Sequence, residues 1–478
     1  MHDRSINLLE GPILGTFVRF AAPFVLTSLL TTLYTLTDLF WIGRLGSDAV
    51  AAVGLIGFLT WLGDAIATGS RTGIGVVTAQ TYGAGADPDR MTRVLSAGFQ
   101  TALGFALAYG VLAQIIVRPF SNFYGLGSGV ADLAVQYGRI VFLGMIFKMM
   151  HFSYAQAYQS FGESRAPFWI NVVGLAVNVA LDPLLIFGLG PIPALGVAGA
   201  AWATALAQMA VFYVFRWHAR AIARGADPLT QPTSLIARIR FFRKSDAATA
   251  RLVVKIGWPV MLLVGTFCII NLLLSRMSAT FGPLAVAVET IGSQIESINW
   301  MTSDGFSSAL TAMAAQNIGA GKKERAVRIM RTGIRLMVGV GLAVMLAFLF
   351  FGRQIFWLFM PEDPQAVLAG TWYLLIFSVS EPFMALETST NACFNAFGRT
   401  GLPAANSVVF NALRIPLGLL LMGSMAYYGI WLGMSISSLF KGSIIYFLFC
   451  RLRREYLEGR WQTAGVAPER PENSSLKE

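Results

Sequence analysis

Apolar blocks about as long as a bilayer is thick follow one another along nearly the whole chain, with short polar or Gly/Pro-rich junctions between them. Leu103–Val117, Val253–Leu274 and Leu336–Phe351 are examples. They lack the period-two alternation of an outer-membrane barrel strand, so they predict membrane-spanning helices. Counting blocks gives about twelve spans, near 14–40, 49–80, 92–117, 131–160, 167–188, 194–217, 252–280, 285–316, 326–352, 366–396, 403–424 and 427–450. Gly188–Gly196 and Gly398–Pro403 mark two of the junctions.

The pattern repeats. A shift of 236 residues lays Pro23 on Pro259, Gly46 on Gly282, and Ala49-Val50-Ala51 on Ala285-Val286-Ala287. The same shift lays Gly69 on Gly305, Ala79-Gln80 on Ala315-Gln316, and GAG at 83–85 on GAG at 319–321. Phe161-Gly162 with Pro167 meets Phe397-Gly398 with Pro403. Each half holds six spans, so both halves enter the membrane in the same sense. The fold expected is an all-α polytopic membrane protein: two six-helix lobes in a parallel internal repeat, facing one another across a cavity. The lobes are expected at 1–215 and 252–455, with a basic linker at 216–251 and a disordered tail at 456–478.

Composition agrees with a membrane protein. Only 13% of residues are charged, against about a quarter in a soluble domain. The net charge of +11 sits between the apolar blocks, where it meets anionic headgroups rather than nucleic acid. The linker alone carries Arg216, Arg220, Arg224, Arg238, Arg240, Arg243, Lys244 and Arg251 against Asp227 and Asp246. Alternate loops carry Arg90 and Arg93, Arg165, Lys322 to Arg328, and Arg399, while the opposite loops hold isolated Arg44, Arg118 and Arg353. The positive-inside rule therefore places the linker and both termini in the cytoplasm. Three cysteines in apolar surroundings predict neither a disulfide frame nor a metal cluster. The opening MHDRSINLLEGPILGTF has no short apolar core with a cleavage site, so no removable signal is expected.

The candidate chemistry lies inside the spans. In NVVGLAVNVALDPLLIFGLG (171–190), Asn178 and Asp182 stand four apart and share one helix face. A carboxylate at that depth costs at least ~2.5–3.5 kcal/mol in lipid, so it should face a protein interior or a watery cavity. Pro183 removes a backbone donor beside it. This face reads as one wall of an ion site in a membrane transporter. Pro23 and Pro259 interrupt the first and seventh spans, as hinges or as fixed kinks. Asp64 and Arg71, two turns apart in the second span, are expected to serve each other structurally, or else to meet substrate. Lys148 and His151 lie on adjacent faces of FKMMHFSY, where a lone His reads as a satisfied interior donor.

TDLFWIGRLGSDAVAAVGL (37–55), the AQTYGAG and AQNIGAG pair, FGESRAP (161–167), and LDPLLIFG followed by GVAGAAWAT (196–204) resemble the multidrug and toxic compound extrusion (MATE) transporters. The resemblance runs over nearly the whole chain. It implies a cofactor-free antiporter of a prokaryotic inner membrane that exports amphipathic, often cationic, small molecules in exchange for H⁺ or Na⁺. A monomer is expected. It also implies that Asp38, Asn178 and Asp182 form the coupling site of the amino-terminal lobe. Both acids sit on odd-numbered spans and should reach similar depth. Close together in low dielectric, they require that one keep its proton or that a cation bind between them. The competing reading makes Asp38 a helix cap and ties Asp182 to loop backbone.

The second half departs from the repeat. Asp38 meets Leu274 and Asn178 meets Arg414, so the acid pair is not duplicated. The eighth span carries Glu289, Gln294, Glu296 and Asp304, the tenth Glu381 and Glu387, and the seventh Asn271 and Arg276 but no acid. Glu296 and Glu381 are expected to neutralise Arg276 and Arg414, or else to attract a cationic substrate. The rival of the same superfamily is a lipid-linked oligosaccharide flippase, which would line its cavity with Arg and Lys. A membrane-embedded enzyme would need a nucleophile–base or His-rich cluster, and only His2, His151 and His218 are present.

Overall fold

The computed structural model describes residues 6–123, 128–190, 193–224, 227–228, 231–241, 246–361 and 363–460. Among them are thirteen α-helices and one 3₁₀ helix. The amino-terminal half comprises α1 (Ile13–Gly43), α2 (Ser47–Gly83), α3 (Pro88–Phe123), α4 (Ser128–Ser160), α5 (Arg165–Phe187) and α6 (Val197–Ala223). The other half comprises α7 (Ala247–Ala279), α8 (Pro283–Gly319), α9 (Lys323–Phe359), α10 (Pro364–Ser378), α11 (Glu381–Ala396), α12 (Gly401–Met425) and α13 (Tyr427–Leu457).

Ten of these helices are long and apolar enough to cross a membrane. The expected span at 366–396 is two helices, α10 and α11, which meet at 46° and pass the same test together. Pro382 in the first turn of α11 supplies the break, because it has no N–H to continue the α10 ladder. α8 falls outside the test: Glu289, Glu296 and Asp304 lower its apolarity, although it runs 37 residues through the bundle. Exposed side chains such as Val111, Ile115, Phe350, Leu358 and Phe447 make the outer surface apolar. Exposed Trp169 and Trp217 lie toward one end of the helices and Trp357 and Trp372 toward the other, as in interfacial belts.

Each lobe closes partly on the other. α1 packs chiefly on α8, and its repeat partner α7 packs chiefly on α2. Where α2 and α8 cross, near the GAG turns, the backbones touch: a Cβ on Gly83 would lie 2.0 Å from the Gln316 carbonyl oxygen, and one on Gly319 2.0 Å from that of Gln80. The same two glutamines donate across the lobes, Gln80 to the Ala396 carbonyl and Gln316 to the Ser160 carbonyl, both at 2.5 Å. These four contacts obey the repeat interval, so a pseudo-two-fold axis runs through the crossing. The segment before α1 braces the same end. Ile6 N–H donates to Gly162, Asn317 donates to the Leu8 carbonyl, and Arg325 donates to Glu10 and Gly11.

The basic linker is not wholly solvated. Its 3₁₀ helix, Pro232–Arg238, buries Leu235 and Ile236 against α3 and α6. The Arg240 backbone N–H donates to Ser96 at 3.0 Å and its carbonyl accepts from Gln100 at 2.6 Å. Asp246 then caps α7; the Thr249 hydroxyl, aided by the Ala248 N–H, holds its carboxyl below the usual range. Arg243 and Lys244, and the tail from 461 on, lie outside the described residues.

A methyl group at the crossing is expected to open it. Overpacking of this kind costs ~1–3 kcal/mol, up to roughly a hundredfold in population. Gly83→Ala or Gly319→Ala should lower the closed population about tenfold. Spin labels at exposed Asp89 and Glu324 would report this as longer distances, while Gly104→Ala, with nothing within 4 Å of its Cβ, should not change them. Unchanged distances in both crossing variants would mean the lobes are not held there.

Candidate functional site

In the amino-terminal lobe α5 presents Asn171, Gly174, Asn178 and Asp182 along one face, toward α1 and α6. Asn178 and Asp182 have no exposed surface. Asn178 donates to Asp182 Oδ1 at 3.4 Å. Asp38 approaches from α1 and lies close to both Asp182 and Asn178. Its Oδ2 accepts from Thr204 of α6 at 3.2 Å. Asp38 Oδ1, Asp182 Oδ2 and Asn178 Oδ1 find no donor among the described residues. Three buried acceptors so placed suit a proton shared between the carboxyls, or a small cation.

Asp38 opens onto a cavity of about 460 Å³. Thr31, Tyr34, Tyr137, Lys148, Thr204 and Gln208 are among its walls. Thr204 and Gln208, four apart in the apolar stretch of α6 before Arg216, also line this cavity, and their spacing is the same signal that marks Asn178 and Asp182. His151 is only half satisfied: its Nε2 donates to Gln208 Oε1 at 2.5 Å, and its buried Nδ1 finds no partner among the described residues. Asp64 does not pair with Arg71. Lys148 takes Asp64 at 2.7 Å, and Arg71 reaches across the lobes to Asp304 at 3.4 Å. Seven residues along one helix is about 10.5 Å, too far for direct contact, so each group finds a partner on another helix.

Between the lobes lies a chamber of about 200 Å³ that meets Arg71, Gln156, Asp304, Asn391 and Asn395. One wall is a buried polar network in the carboxy-terminal lobe. Lys441 of α13 pairs with Glu387 at 2.9 Å and donates to Asn411 at 3.1 Å. Glu387 also accepts from Ser407 at 2.7 Å. Arg414 donates to Ser438 at 3.0 Å. Lys441 is absent from the sequence-derived candidates, although a lone Lys within an apolar span is itself a signal.

The expected neutralisation of Glu296 and Glu381 by Arg276 and Arg414 does not form among the described residues. Arg276 is exposed at the end of α7, and so is Gln294 on α8. Glu381 accepts instead from buried Asn299. Glu296 lies beside Glu381 and Tyr373, with Arg414 acting on it only at longer range. Pro23 and Pro259 sit inside α1 and α7, next to the segments that cross the opposite lobe. No cluster of His, Cys, Asp and Glu fit for a metal cage occurs among the described residues.

The profile of the MatE family matches residues 23–184 and again 259–420, the same displacement as the internal repeat. The chain is 26% identical over 428 residues to the probable multidrug resistance protein YoeA of Bacillus subtilis, covering 87% of this chain and 88% of that one. It is 25% identical over 457 residues to a FAD transporter of Shewanella oneidensis, covering 95% and 97%. Among solved structures, a MOP superfamily transporter from Pyrococcus furiosus shares the fold with a TM-score of 0.84 at 20% identity, covering 95% of this chain and 99% of that one.

The Lys441–Glu387 pair should behave as a buried ion pair. Lys441→Met strands a carboxylate and is expected to cost ~3–5 kcal/mol, while Lys441→Met with Glu387→Met should recover most of that loss. Unfolding in sodium dodecyl sulfate measures both. Equal losses in the single and double variants would contradict the pairing.

Proposed function

The chain belongs to the MatE family of membrane transporters, and from that premise we propose that it exports amphipathic organic compounds in exchange for H⁺ or Na⁺. The observation that carries the coupling is the Asp38–Asp182 pair, each of which keeps one buried oxygen without a donor while Asp38 opens to the cavity. A proton or sodium ion on the pair favours one arrangement of the lobes, and substrate bound between them favours the other. The closed crossing at the GAG turns suits a chamber open toward the opposite face. If the basic linker and both termini are cytoplasmic, that state is open to the outside. Pro23 lets α1 bend when the charge on Asp38 changes, and Pro259 offers α7 the same freedom. A single chain holds both lobes and both chambers, so the working unit is a monomer.

Efflux from proteoliposomes separates the parts of this reading. Under an imposed proton or sodium gradient, wild-type protein should export ethidium, rhodamine 6G or FAD, and Asp38→Asn and Asp182→Asn should each lose at least tenfold of the gradient-driven rate. Full gradient response in both variants would remove the pair from the coupling. The flippase reading keeps one observation in its favour, the presence of Arg71, Arg414 and Lys441 on the chamber. Gradient-independent movement of an undecaprenyl-linked sugar, with no efflux of any soluble compound, would decide for it.

A further inference from the structure

The chamber between the lobes is basic where the amino-terminal site is acidic. Its charged lining is Arg71, Asp304, Glu387, Arg414 and Lys441. Arg71 is matched by Asp304 and Lys441 by Glu387. That leaves Arg414, among the described residues, without a carboxylate at ion-pair distance. It is only 4% exposed, its hydrogen-bond partner is the neutral Ser438 hydroxyl, and its Nε has no acceptor. A guanidinium does not shed its proton in a protein, so this charge stays, and its cost of burial is met only at longer range, by Glu387 and Glu296. An anion in the chamber offsets that cost.

The repeat sharpens the point. Arg414 stands where the first lobe has Asn178, Gly418 where it has Asp182, and Leu274 where it has Asp38. The carboxylates that might have drawn a cation into this chamber, Asp304 and Glu387, are already engaged. Beside Arg414 is an aromatic wall: its guanidinium lies 5.8 Å from the Phe267 ring centre, and Phe267 stacks on Trp300 at 6.3 Å and 20°. Asn391 and Asn395 add amide groups that can bind polar substituents. A space of about 200 Å³ is smaller than the ~300–1,000 Å³ of a drug-sized pocket, so it suits one end of a ligand.

We infer that the chamber binds the anionic group, a phosphate or carboxylate, of a planar aromatic amphiphile, with Arg414 as its counterion and Phe267 and Trp300 against its ring. This rests on the chamber being the substrate path, and it names the substrate class as organic anions or zwitterions rather than the cations expected from the intramembrane acids. A lipid phosphate headgroup carries the same chemistry, so the test must tell the two sources apart.

Riboflavin 5′-phosphate and riboflavin differ by one phosphate and share the ring. Binding to the purified full chain in uncharged maltoside, followed by flavin fluorescence, should favour the phosphate at least tenfold. Arg414→Gln should abolish that preference and Arg414→Lys should keep most of it, with melting curves verifying that each variant is folded. Equal binding of the two flavins to wild type overturns the inference, whether or not the Gln variant folds; so does a preference retained in folded Arg414→Gln. In nanodiscs, addition of phosphatidylglycerol to phosphatidylcholine should leave flavin phosphate binding unchanged. Competition by phosphatidylglycerol that depends on Arg414 would hand the site to a lipid headgroup and overturn the substrate assignment. In proteoliposomes, wild type should export riboflavin phosphate in preference to riboflavin, and Arg414→Gln should lose that preference. If wild type exports neither, the transport reading fails instead, and the binding preference is judged separately.

Discussion

Two carboxylates buried against one another with too few donors are the constraint around which this molecule is arranged. Thr204 and Asn178 supply part of what Asp38 and Asp182 need, and two carboxylate oxygens are left over. Low dielectric disfavours two bare negative charges side by side, which is the basis of the proposed coupling: the site would take up a proton or cation and give it back. Three helices, α1, α5 and α6, hold the groups that respond, and α1 also packs on α8 of the other lobe. On the proposed reading, a change of charge at the pair would act on the helix that packs against the other lobe.

The duplicated architecture gives that response a mechanical partner. At the crossing of α2 and α8 the two halves are symmetric down to individual carbonyls, because only glycine at 83 and 319 lets the backbones meet. Away from the crossing the halves diverge in charge. The first lobe's cavity holds Asp38 and the Asp64–Lys148 pair; the second lobe sets Arg414 and Lys441 near Glu387 on the chamber and also holds Glu296 and Glu381. On the proposed reading, similar scaffolds with different charged groups handle two solutes, a small cation in one lobe and a charged amphiphile between the lobes.

Much of this was legible in the residues. The apolar blocks and the 236-residue interval carried the helices, the two lobes and their pairing. Asn178 and Asp182 announced a shared face by their spacing, and the structure brings Asp38 to them. Partners across helices were not legible. The two-turn spacing of Asp64 and Arg71 suggested a pair, but in three dimensions Lys148 and Asp304 lie nearer. The break before Pro382 looked like continuous apolar sequence, since a bend within a span leaves hydropathy unchanged. The basic linker read only as a polar cytoplasmic segment, because its charges outnumber the few apolar residues, Leu235 and Ile236, that anchor it.

Difference infrared spectroscopy of the purified protein is the most direct probe of the acid pair. In sodium-free buffer at neutral pH, one protonated-carboxyl band, separate from any signal of Glu296 and Glu381, should vanish in Asp38→Asn and in Asp182→Asn, and sodium should diminish it if the cation competes for the same oxygens. Two ionised carboxylates with no band and no response to sodium would contradict this expectation.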